Sequence, residues 1–182
     1  MLFRSLVGKY ADFKAGQKII DVGTGAGFPG LAMLIARPDL KITLLDSTNK
    51  KLNVIRDILE KLELTCEVLH MRAEEAGQSK DYREKYDFAT ARAVSNLRDL
   101  SEYCLPFVKK GGTFISMKSA KAEEEIAEGK NAIKLLGGNI KEKKTFEIDD
   151  AGERTIILIE KVSTTPPKYP RPSAKIAKNP LR

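Results

Sequence analysis

The fold of this chain is decided by residues 18–30, whose sequence is KIIDVGTGAGFPG. The apolar, β-branched residues Ile19, Ile20 and Val22 are typical of a parallel strand that is covered on both faces. The glycines that follow allow a sharp turn and leave space for a ligand beside the main chain. Pro29 suits the first turn of a helix. A strand that ends in a glycine loop and continues into a helix predicts a ligand site at the carboxyl edge of an α/β sheet.

The spacing of the glycines separates two kinds of cofactor. A dinucleotide site has the pattern G-x-G-x-x-G, whose third glycine permits close packing of the helix on the strand. Here Phe28 stands at that third position, and Gly23, Gly25 and Gly27 are spaced G-x-G-x-G. The pattern D-x-G-x-G-x-G resembles the S-adenosylmethionine loop of Rossmann-like methyltransferases. A purely structural loop without a ligand remains the alternative.

The rest of the chain continues the alternation of strands and helices. Strands are predicted at 18–22, 41–46, 66–70, 86–91 and 111–118, and helices at 29–37, 48–63, 73–77, 96–109 and 121–136. Two further strands, 142–148 and 154–160, flank a DDAGE turn that predicts an antiparallel hairpin. The fold class is therefore α/β, a doubly wound sheet of seven strands with a C-terminal antiparallel hairpin. A reversed seventh strand at the edge resembles the Rossmann-like, class I S-adenosylmethionine-dependent methyltransferases.

Helical periodicity identifies the residues expected in the core. One stripe in the helix 48–63 consists of Leu52, Ile55, Leu59 and Leu62, and one in the helix 96–109 consists of Leu97, Leu100, Cys104 and Phe107. Leu2, Phe3, Leu6 and Val7 suggest a short helix near the start of the chain.

Length and composition predict a soluble domain with a sizeable core, because 42% of the 182 residues are apolar and 31% are charged. Cys66 and Cys104 do not form a metal-binding pattern, so we expect no metal. No apolar run approaches the roughly 20 residues of a membrane span, and no signal peptide is evident. A cytoplasmic location without membrane contact is therefore expected.

The net charge of +7 is concentrated near the end of the chain. Residues 161–182 contain six Lys and Arg residues and no Asp or Glu, which leaves 26 basic and 25 acidic residues in the remainder. This pattern divides the chain into a domain at 1–162 and a basic, Pro-rich tail at 163–182. Such a tail indicates a polyanionic partner, and a disordered, solvated tail is the alternative.

Several polar residues follow the ends of the predicted strands. Asp46 ends the second strand, where a carboxylate can accept bonds from both hydroxyls of a ribose or can cap the next helix. The backbone of Ala73 and Glu74 follows the third strand, where an adenine would lie in such a fold. Arg92 follows the fourth strand and indicates a carboxylate or phosphate ligand, or else a structural salt bridge. Lys118, at the end of the fifth strand, faces RNA or is a solvated strand end.

Five stretches together resemble one family. These are DVGTGAGFP (21–29), LDS (45–47), RAE (72–74), TARAV (90–94) and TPPKYPR (165–171). Their order and spacing are similar to those of the bacterial small-subunit ribosomal RNA guanine-N7 methyltransferases, the RsmG or GidB family, across about residues 17–182. Members of that family carry a helical N-terminal extension, of which this chain is expected to lack a large part.

The resemblance implies S-adenosylmethionine as cofactor and N7 of a guanine in 16S ribosomal RNA, free or in the small subunit, as acceptor. It implies cofactor contacts from Gly23, Phe28, Ala73, Glu74 and Arg92. Guanine N7 is a lone pair without a proton, so alignment of the in-line transfer is the main requirement and no general base is expected.

Two other functions stay open. An NAD-dependent oxidoreductase is disfavoured by Phe28 and by the terminal hairpin, whereas a non-catalytic RNA-binding module would keep the same fold. For the tail we expect Lys168 and Arg171 to contact RNA phosphates. Removal of the tail, residues 163–182, should then weaken RNA binding and leave cofactor binding unchanged.

Overall fold

The computed structural model describes residues 11–92, 95–118, 122–148 and 152–181. The strands are β1 (Lys18–Val22), β2 (Lys41–Asp46), β3 (Glu67–His70), β4 (Tyr86–Arg92), β5 (Val108–Lys118), β6 (Gly138–Ile148) and β7 (Gly152–Lys161). The α-helices are α1 (Gly30–Ala36), α2 (Asn49–Lys61), α3 (Ala73–Ala76), α4 (Leu97–Cys104), α5 (Ala122–Leu135) and α6 (Ser173–Lys178). The helix predicted from Leu2, Phe3, Leu6 and Val7 lies outside the described residues, as do residues 149–151 of the hairpin turn.

The strands form one sheet in the order β3-β2-β1-β4-β5-β7-β6. Neighbours among β1 to β5 are parallel, while β7 is antiparallel to both β5 and β6. This confirms the predicted doubly wound sheet of seven strands with a C-terminal antiparallel hairpin. Alternating strands and helices place the carboxyl ends of β1, β2, β3 and β4 at one edge, which is where such sheets bind ligands.

The expectation that the reversed strand lies at the edge is wrong, because β7 lies between β5 and β6. Its central residues Ile156, Ile157, Leu158 and Ile159 are all buried, as a strand inside a doubly covered sheet requires. Strand β6 contains the run KEKK at 141–144, and such charges are typical of an edge strand. The hairpin pattern predicted the pairing of β6 with β7 but not which of them lies next to β5.

Both faces of the sheet are covered by apolar side chains. Ile20, Leu100 and Phe107 belong to one core cluster, and Ile19 and Leu52 belong to the other. Because successive residues of a strand point to opposite faces, the adjacent isoleucines of β1 enter different cores. This explains the uninterrupted apolar run in that strand.

The boundaries of several elements differ from the predictions. Helix α4 ends at Cys104, and a 3₁₀ turn over Leu105–Phe107 leads into β5. Pro106 has no N–H to continue an α-helix, which explains this early end. Leu62, predicted in the core stripe of α2, is 47% exposed because it lies beyond the last helical residue. Pro29 occupies the N-cap of α1 rather than its first turn.

The tail packs on the domain through buried side chains and a short helix. Thr165, Tyr169 and Ile176 are buried, and Ile176 belongs to α6. The side chain of Arg83 donates to the carbonyl oxygens of Thr165 and Tyr169, at 2.7 Å each. The alternative of a disordered tail is therefore wrong for residues 163–181.

Candidate functional site

A cavity of about 480 Å³ lies where the carboxyl ends of the parallel strands meet. The structure brings together five of the seven residues predicted to bind a cofactor. The cavity is lined by Gly23, Asp46, Ala73, Glu74 and Arg92. The other two, Gly25 and Phe28, contact residues of this set, as described below.

The loop after β1 has left-handed backbone at its first two glycines. Gly23 has φ +68° and Gly25 has φ +59°, a region that glycine enters without the steric cost of a side chain. A Cβ atom at Gly25 would find its nearest protein atom, the carbonyl oxygen of Gly23, at 3.9 Å. The backbone at Gly25 is therefore open on the side where a side chain would lie, which leaves room for a ligand.

The buried carboxylate of Asp21 holds this loop in place. Its Oδ2 accepts hydrogen bonds from Thr24 Oγ1 (2.6 Å) and from the Gly30 N–H (2.9 Å), and its Oδ1 accepts from Thr90 Oγ1 (3.0 Å). Burial raises the pKa of Asp21, although these hydrogen bonds act in the opposite direction. The prediction of site residues missed this role, although an acid inside an apolar strand was a signal for it.

Gly30 takes the place of the missing third glycine of a dinucleotide loop. A Cβ atom at Gly30 would lie 2.3 Å from Leu44 Cδ2 and 2.8 Å from Asp21 Cβ. Helix α1 can therefore approach β1 and β2 closely, although Phe28 occupies the usual position for such a glycine.

Asp46 connects the end of β2 to the glycine loop. Its Oδ2 accepts from the Gly25 N–H at 2.9 Å, and its Oδ1 accepts from the Thr48 N–H at 2.8 Å. The second bond is a local turn bond to the N–H of Thr48, the N-cap residue of α2. Asp46 accepts no bond from the first turn of the helix, so it does not cap α2. Each carboxylate oxygen can accept a further hydrogen bond, which keeps both available to a ribose.

The side of the cavity beyond β3 is formed by three separate segments. Ala73 and Glu74 begin α3, Tyr103 comes from α4 and Ser173 comes from α6. The Ser173 N–H donates to Glu74 Oε1 at 3.3 Å. Tyr103 and Ser173 were not predicted, because no local motif marks them and only the packing of the chain brings them to the cavity.

Arg92 and Phe28 meet at the rim of the cavity. The guanidinium carbon of Arg92 lies 5.4 Å from the centroid of the Phe28 ring, within the range of a cation–π interaction. Phe28 is 45% exposed. The two residues therefore present an aromatic ring and a cation at the surface beside the glycine loop.

Two of the three residues predicted to contact RNA have internal partners instead. The Lys118 ammonium lies 2.7 Å from Glu125 Oε2 and donates to the carbonyl of Ser95, so it is neither a solvated strand end nor directed at a partner. Arg171 donates through Nε and Nη2 to the two carboxylate oxygens of Glu102, at 2.8 and 2.7 Å. Lys168 is exposed, with its ammonium 5.2 Å from the ring centroid of Tyr169.

Two features are absent from the described part of the chain. Within it, no group of three or more His, Cys, Asp and Glu side chains could hold a metal ion. Nor does any described helix combine the length and the apolar character needed to cross a membrane. His70 Nε2 lies 3.1 Å from the carbonyl oxygen of Ser47.

The sheet order, the inserted antiparallel β7 and the glycine-loop cavity together define a Rossmann-like class I methyltransferase fold. The family model described as rRNA small subunit methyltransferase G (GidB) matches residues 4–157, and the chain belongs to this family. The resemblance recognised from the sequence is thus confirmed.

Close relatives carry the same name. The chain is 47% identical over 179 residues to a "Ribosomal RNA small subunit methyltransferase G" from Lachnoclostridium phytofermentans, covering 97% of this chain and 74% of the relative. It is 48% identical over 171 residues to the protein of that name from Lactobacillus acidophilus, covering 93% and 71%.

Solved structures with low sequence identity share the fold. An rRNA methylase from Streptococcus thermophilus has a TM-score of 0.59 at 15% identity, over 82% of this chain and 89% of that one. The [4+2]-cyclase SpnF has a TM-score of 0.68 at 17% identity, over 88% and 80%. Because a cyclase and a methylase both resemble this chain, the fold by itself does not specify the chemistry.

Proposed function

We propose that this chain is an S-adenosylmethionine-dependent methyltransferase that methylates N7 of a guanine in 16S ribosomal RNA. Membership of the methyltransferase G family supports the reaction and the class of substrate. The single structural observation that carries the proposal is the open backbone at Gly25, bonded directly to the carboxylate of Asp46. The choice of guanine N7 rests on the family resemblance.

The cavity fits the cofactor in size and in the chemistry of its lining. Its volume of about 480 Å³ lies within the usual range of small-molecule sites. Gly23 and Gly25 offer bare backbone, Asp46 offers acceptors for ribose hydroxyls, and the segment at Ala73 and Glu74 offers polar groups for an adenine. S-adenosylmethionine, when bound, supplies a methyl group activated by a sulfonium.

The residues of this chain then have the task of positioning. Phe28 and Arg92 lie at the rim, where an aromatic ring can stack on a nucleobase and a guanidinium can bind phosphate. Guanine N7 carries no proton, so the transfer requires alignment and no proton acceptor. Asp21 contributes indirectly, because its three hydrogen bonds fix the glycine loop.

The proposal is tested by transfer of a labelled methyl group to small subunits and to naked 16S RNA from a strain that lacks its own methyltransferase G. Reduction and aniline cleavage, which are specific for 7-methylguanine, then locate the product. We expect a single cleavage site at a guanine. A methyl group on an exocyclic amine or a ribose would overturn the assignment to N7.

The same assay distinguishes the two alternatives. A non-catalytic RNA-binding module would bind S-adenosylmethionine and RNA without any transfer, and an oxidoreductase would bind NAD in a calorimetric titration.

We also expect the single-turnover rate of methyl transfer to be nearly constant from about pH 6 to 9, because no general base is required. His70→Ala should retain most of this rate, since the transfer needs no proton acceptor and His70 Nε2 lies against the carbonyl oxygen of Ser47. A steep fall at low pH that disappears in a single side-chain variant would reveal a general base.

A further inference from the structure

Residues 165–178, called here the strap, lie across α3 and α4 and reach the cavity. We propose that the strap is a positioning element of the cofactor site, and that it orients Glu74 through the backbone of Ser173. This inference rests on the proposed function, because it takes S-adenosylmethionine as the ligand of the cavity.

The first half of the strap is fixed by polar side chains that follow α3. Arg83 binds the carbonyl oxygens of Thr165 and Tyr169. Gln78 Nε2 donates to the carbonyl oxygens of Pro170 (3.0 Å) and Pro167 (3.2 Å). These side chains satisfy carbonyl oxygens of an irregular segment, which has no regular partner for them.

The middle of the strap is fixed to α4 by a bidentate ion pair between Arg171 and Glu102. Besides the paired bonds from the Arg171 side chain, the Arg171 N–H donates to Glu102 Oε1 at 2.9 Å. The Glu102 side chain is 1% exposed, and paired Arg–carboxylate bonds are both strong and geometrically specific. The next residue along α4 is Tyr103, which lines the cavity. The strap is therefore attached to a helix that itself forms part of the site.

The strap also packs tightly against the end of α3. A Cβ atom at Gly77 would lie 2.9 Å from Pro170 Cγ and 3.2 Å from Pro170 Cδ. Gly77 has φ −67°, so its backbone would accept any residue. The space is limited by Pro170 of the strap and by the Ala73 carbonyl oxygen, which a Cβ atom would approach to 3.1 Å. Because α3 contains Ala73 and Glu74, a displaced strap would disturb the adenine side of the cavity.

The contact with the cavity itself is made by Ser173. It lines the cavity, and its N–H donates to one carboxylate oxygen of Glu74. A bond to one oxygen restricts the rotation of the carboxylate and therefore directs the other oxygen. The expectation that removal of residues 163–182 leaves cofactor binding unchanged conflicts with this geometry, and we infer the opposite.

The proposal is tested by calorimetric titration of the full-length chain with S-adenosylhomocysteine. Ser173→Pro removes the N–H at the first position of α6, where proline is well accepted, and also replaces the serine hydroxyl at the cavity. Ser173→Ala removes the hydroxyl alone and keeps the N–H, so it should bind like the parent chain. Gly77→Ala replaces no residue of the cavity and pushes most closely against Pro170, and secondly against the Ala73 carbonyl oxygen. We expect Ser173→Pro and Gly77→Ala each to raise the Kd about tenfold, as for a lost hydrogen bond to a charged group. Lys178→Ala, which removes one positive charge from the exposed end of α6, is the matched control and should bind like the parent chain.

Hydrogen exchange provides a second measurement that does not depend on activity. Ligand addition should protect the amides of the strap in the parent chain and protect them less in Ser173→Pro. If the parent chain binds S-adenosylhomocysteine but Ser173→Pro and Gly77→Ala both bind within twofold of it, the strap is only structural and the inference is overturned. If the parent chain binds neither S-adenosylhomocysteine nor S-adenosylmethionine, the proposed function fails and the inference fails with it.

Discussion

Lys118 and Glu125 form a buried ion pair beside the candidate site, with Nζ and Oε2 separated by 2.7 Å. The side chain of Lys118 is 5% exposed and that of Glu125 is 23% exposed. The same Oε2 accepts from the Leu97 N–H at 2.6 Å, while the lysine donates to the Ser95 carbonyl. Lys118 ends β5 and Glu125 lies on α5. The pair therefore connects both elements to the segment before α4, whose Ser95 lines the cavity.

Lys118→Ala should lower the free energy of unfolding by about 3 kcal/mol, because it leaves a largely buried carboxylate without its partner. Chemical denaturation measures this change. Lys143 and Glu123, an exposed ion pair that also involves α5, provide the matched control. Lys143→Ala should cost no more than about 1 kcal/mol. Equal effects of the two substitutions would contradict a special role for the buried pair.

Asp21→Asn should change how stability depends on pH. Burial raises the pKa of Asp21 above its ordinary value of 3.8, so above pH 3.8 the folded state keeps a proton that the unfolded state has lost. The unfolding free energy of the parent chain therefore falls as pH rises through this window and changes no further above the folded-state pKa. The asparagine variant should lack this contribution in denaturation curves measured across pH.

A comparison with Asp21→Ala identifies the hydrogen bonds of that side chain. Asparagine can still accept from Thr24 and Gly30 through its oxygen and can donate to the Thr90 hydroxyl. Alanine leaves all three groups without this partner. The alanine variant should therefore be less stable than the asparagine variant by about 1–3 kcal/mol. Equal stability of the two variants would contradict the role given to Asp21 in holding the loop.

Lys161 should make the unfolding free energy depend on pH with the sign opposite to that of Asp21, and Lys161→Met should remove this dependence. Lys161 is fully buried, donates to the carbonyl oxygens of Leu105 and Val108, and lies 3.2 Å from Glu84 Oε1. Burial lowers its pKa from 10.5 to about 8, although Glu84 acts against the shift. Between these values the unfolded state binds the extra proton, so the unfolding free energy rises with pH.

The rise should appear as a difference between the denaturation curves of the parent chain and Lys161→Met from about pH 8 to 10.5. Lys109→Met, which alters a lysine whose side chain is 52% exposed, serves as the control. A parallel pair of curves for the parent chain and Lys161→Met would show that Lys161 titrates normally.

Asp46→Ala should weaken binding of S-adenosylmethionine by about 1–3 kcal/mol, because it removes acceptors for the ribose and the contact to the Gly25 N–H. Gly25→Leu should abolish binding, since its side chain would enter open space beside the loop. Calorimetry measures both effects. Asp57→Ala, an exposed carboxylate on α2, should bind normally. Normal affinity in folded Asp46→Ala and Gly25→Leu would exclude this cavity as the cofactor site.

Lys168→Ala tests the one predicted RNA contact that remains exposed. Loss of a phosphate contact should reduce the slope of log affinity against log salt by about 0.7–0.9, with cofactor affinity unchanged. Filter binding to 16S RNA at several salt concentrations measures the slope. An unchanged slope would show that Lys168 does not contact phosphate.

The parts of the site that could be predicted from sequence are those encoded locally. The strand, the glycine loop and the acid that ends the next strand lie in short motifs, so Gly23 and Asp46 were predicted and do line the cavity, beside Gly25. Their cofactor contacts stay a prediction. Ser173 could not be found in this way, because its partner Glu74 is far away in the sequence and no motif connects them. Lys118 and Lys161 look like ordinary lysines at strand ends, and only long-range packing shows that both are buried.

The insertion of β7 between β5 and β6 also has a consequence for the order in which a ribosome delivers the chain. The glycine loop emerges early, and β5 can pair with β4 at once, but the other side of β5 lacks its neighbour until β7 has been synthesised, after β6. Ser173 follows later still, although it lines the same cavity as Gly23. A nascent chain that has extended only through β6 therefore contains the glycine loop and Asp46 but lacks Ser173, which also lines the cavity. The cavity is completed only after most of the chain has been translated.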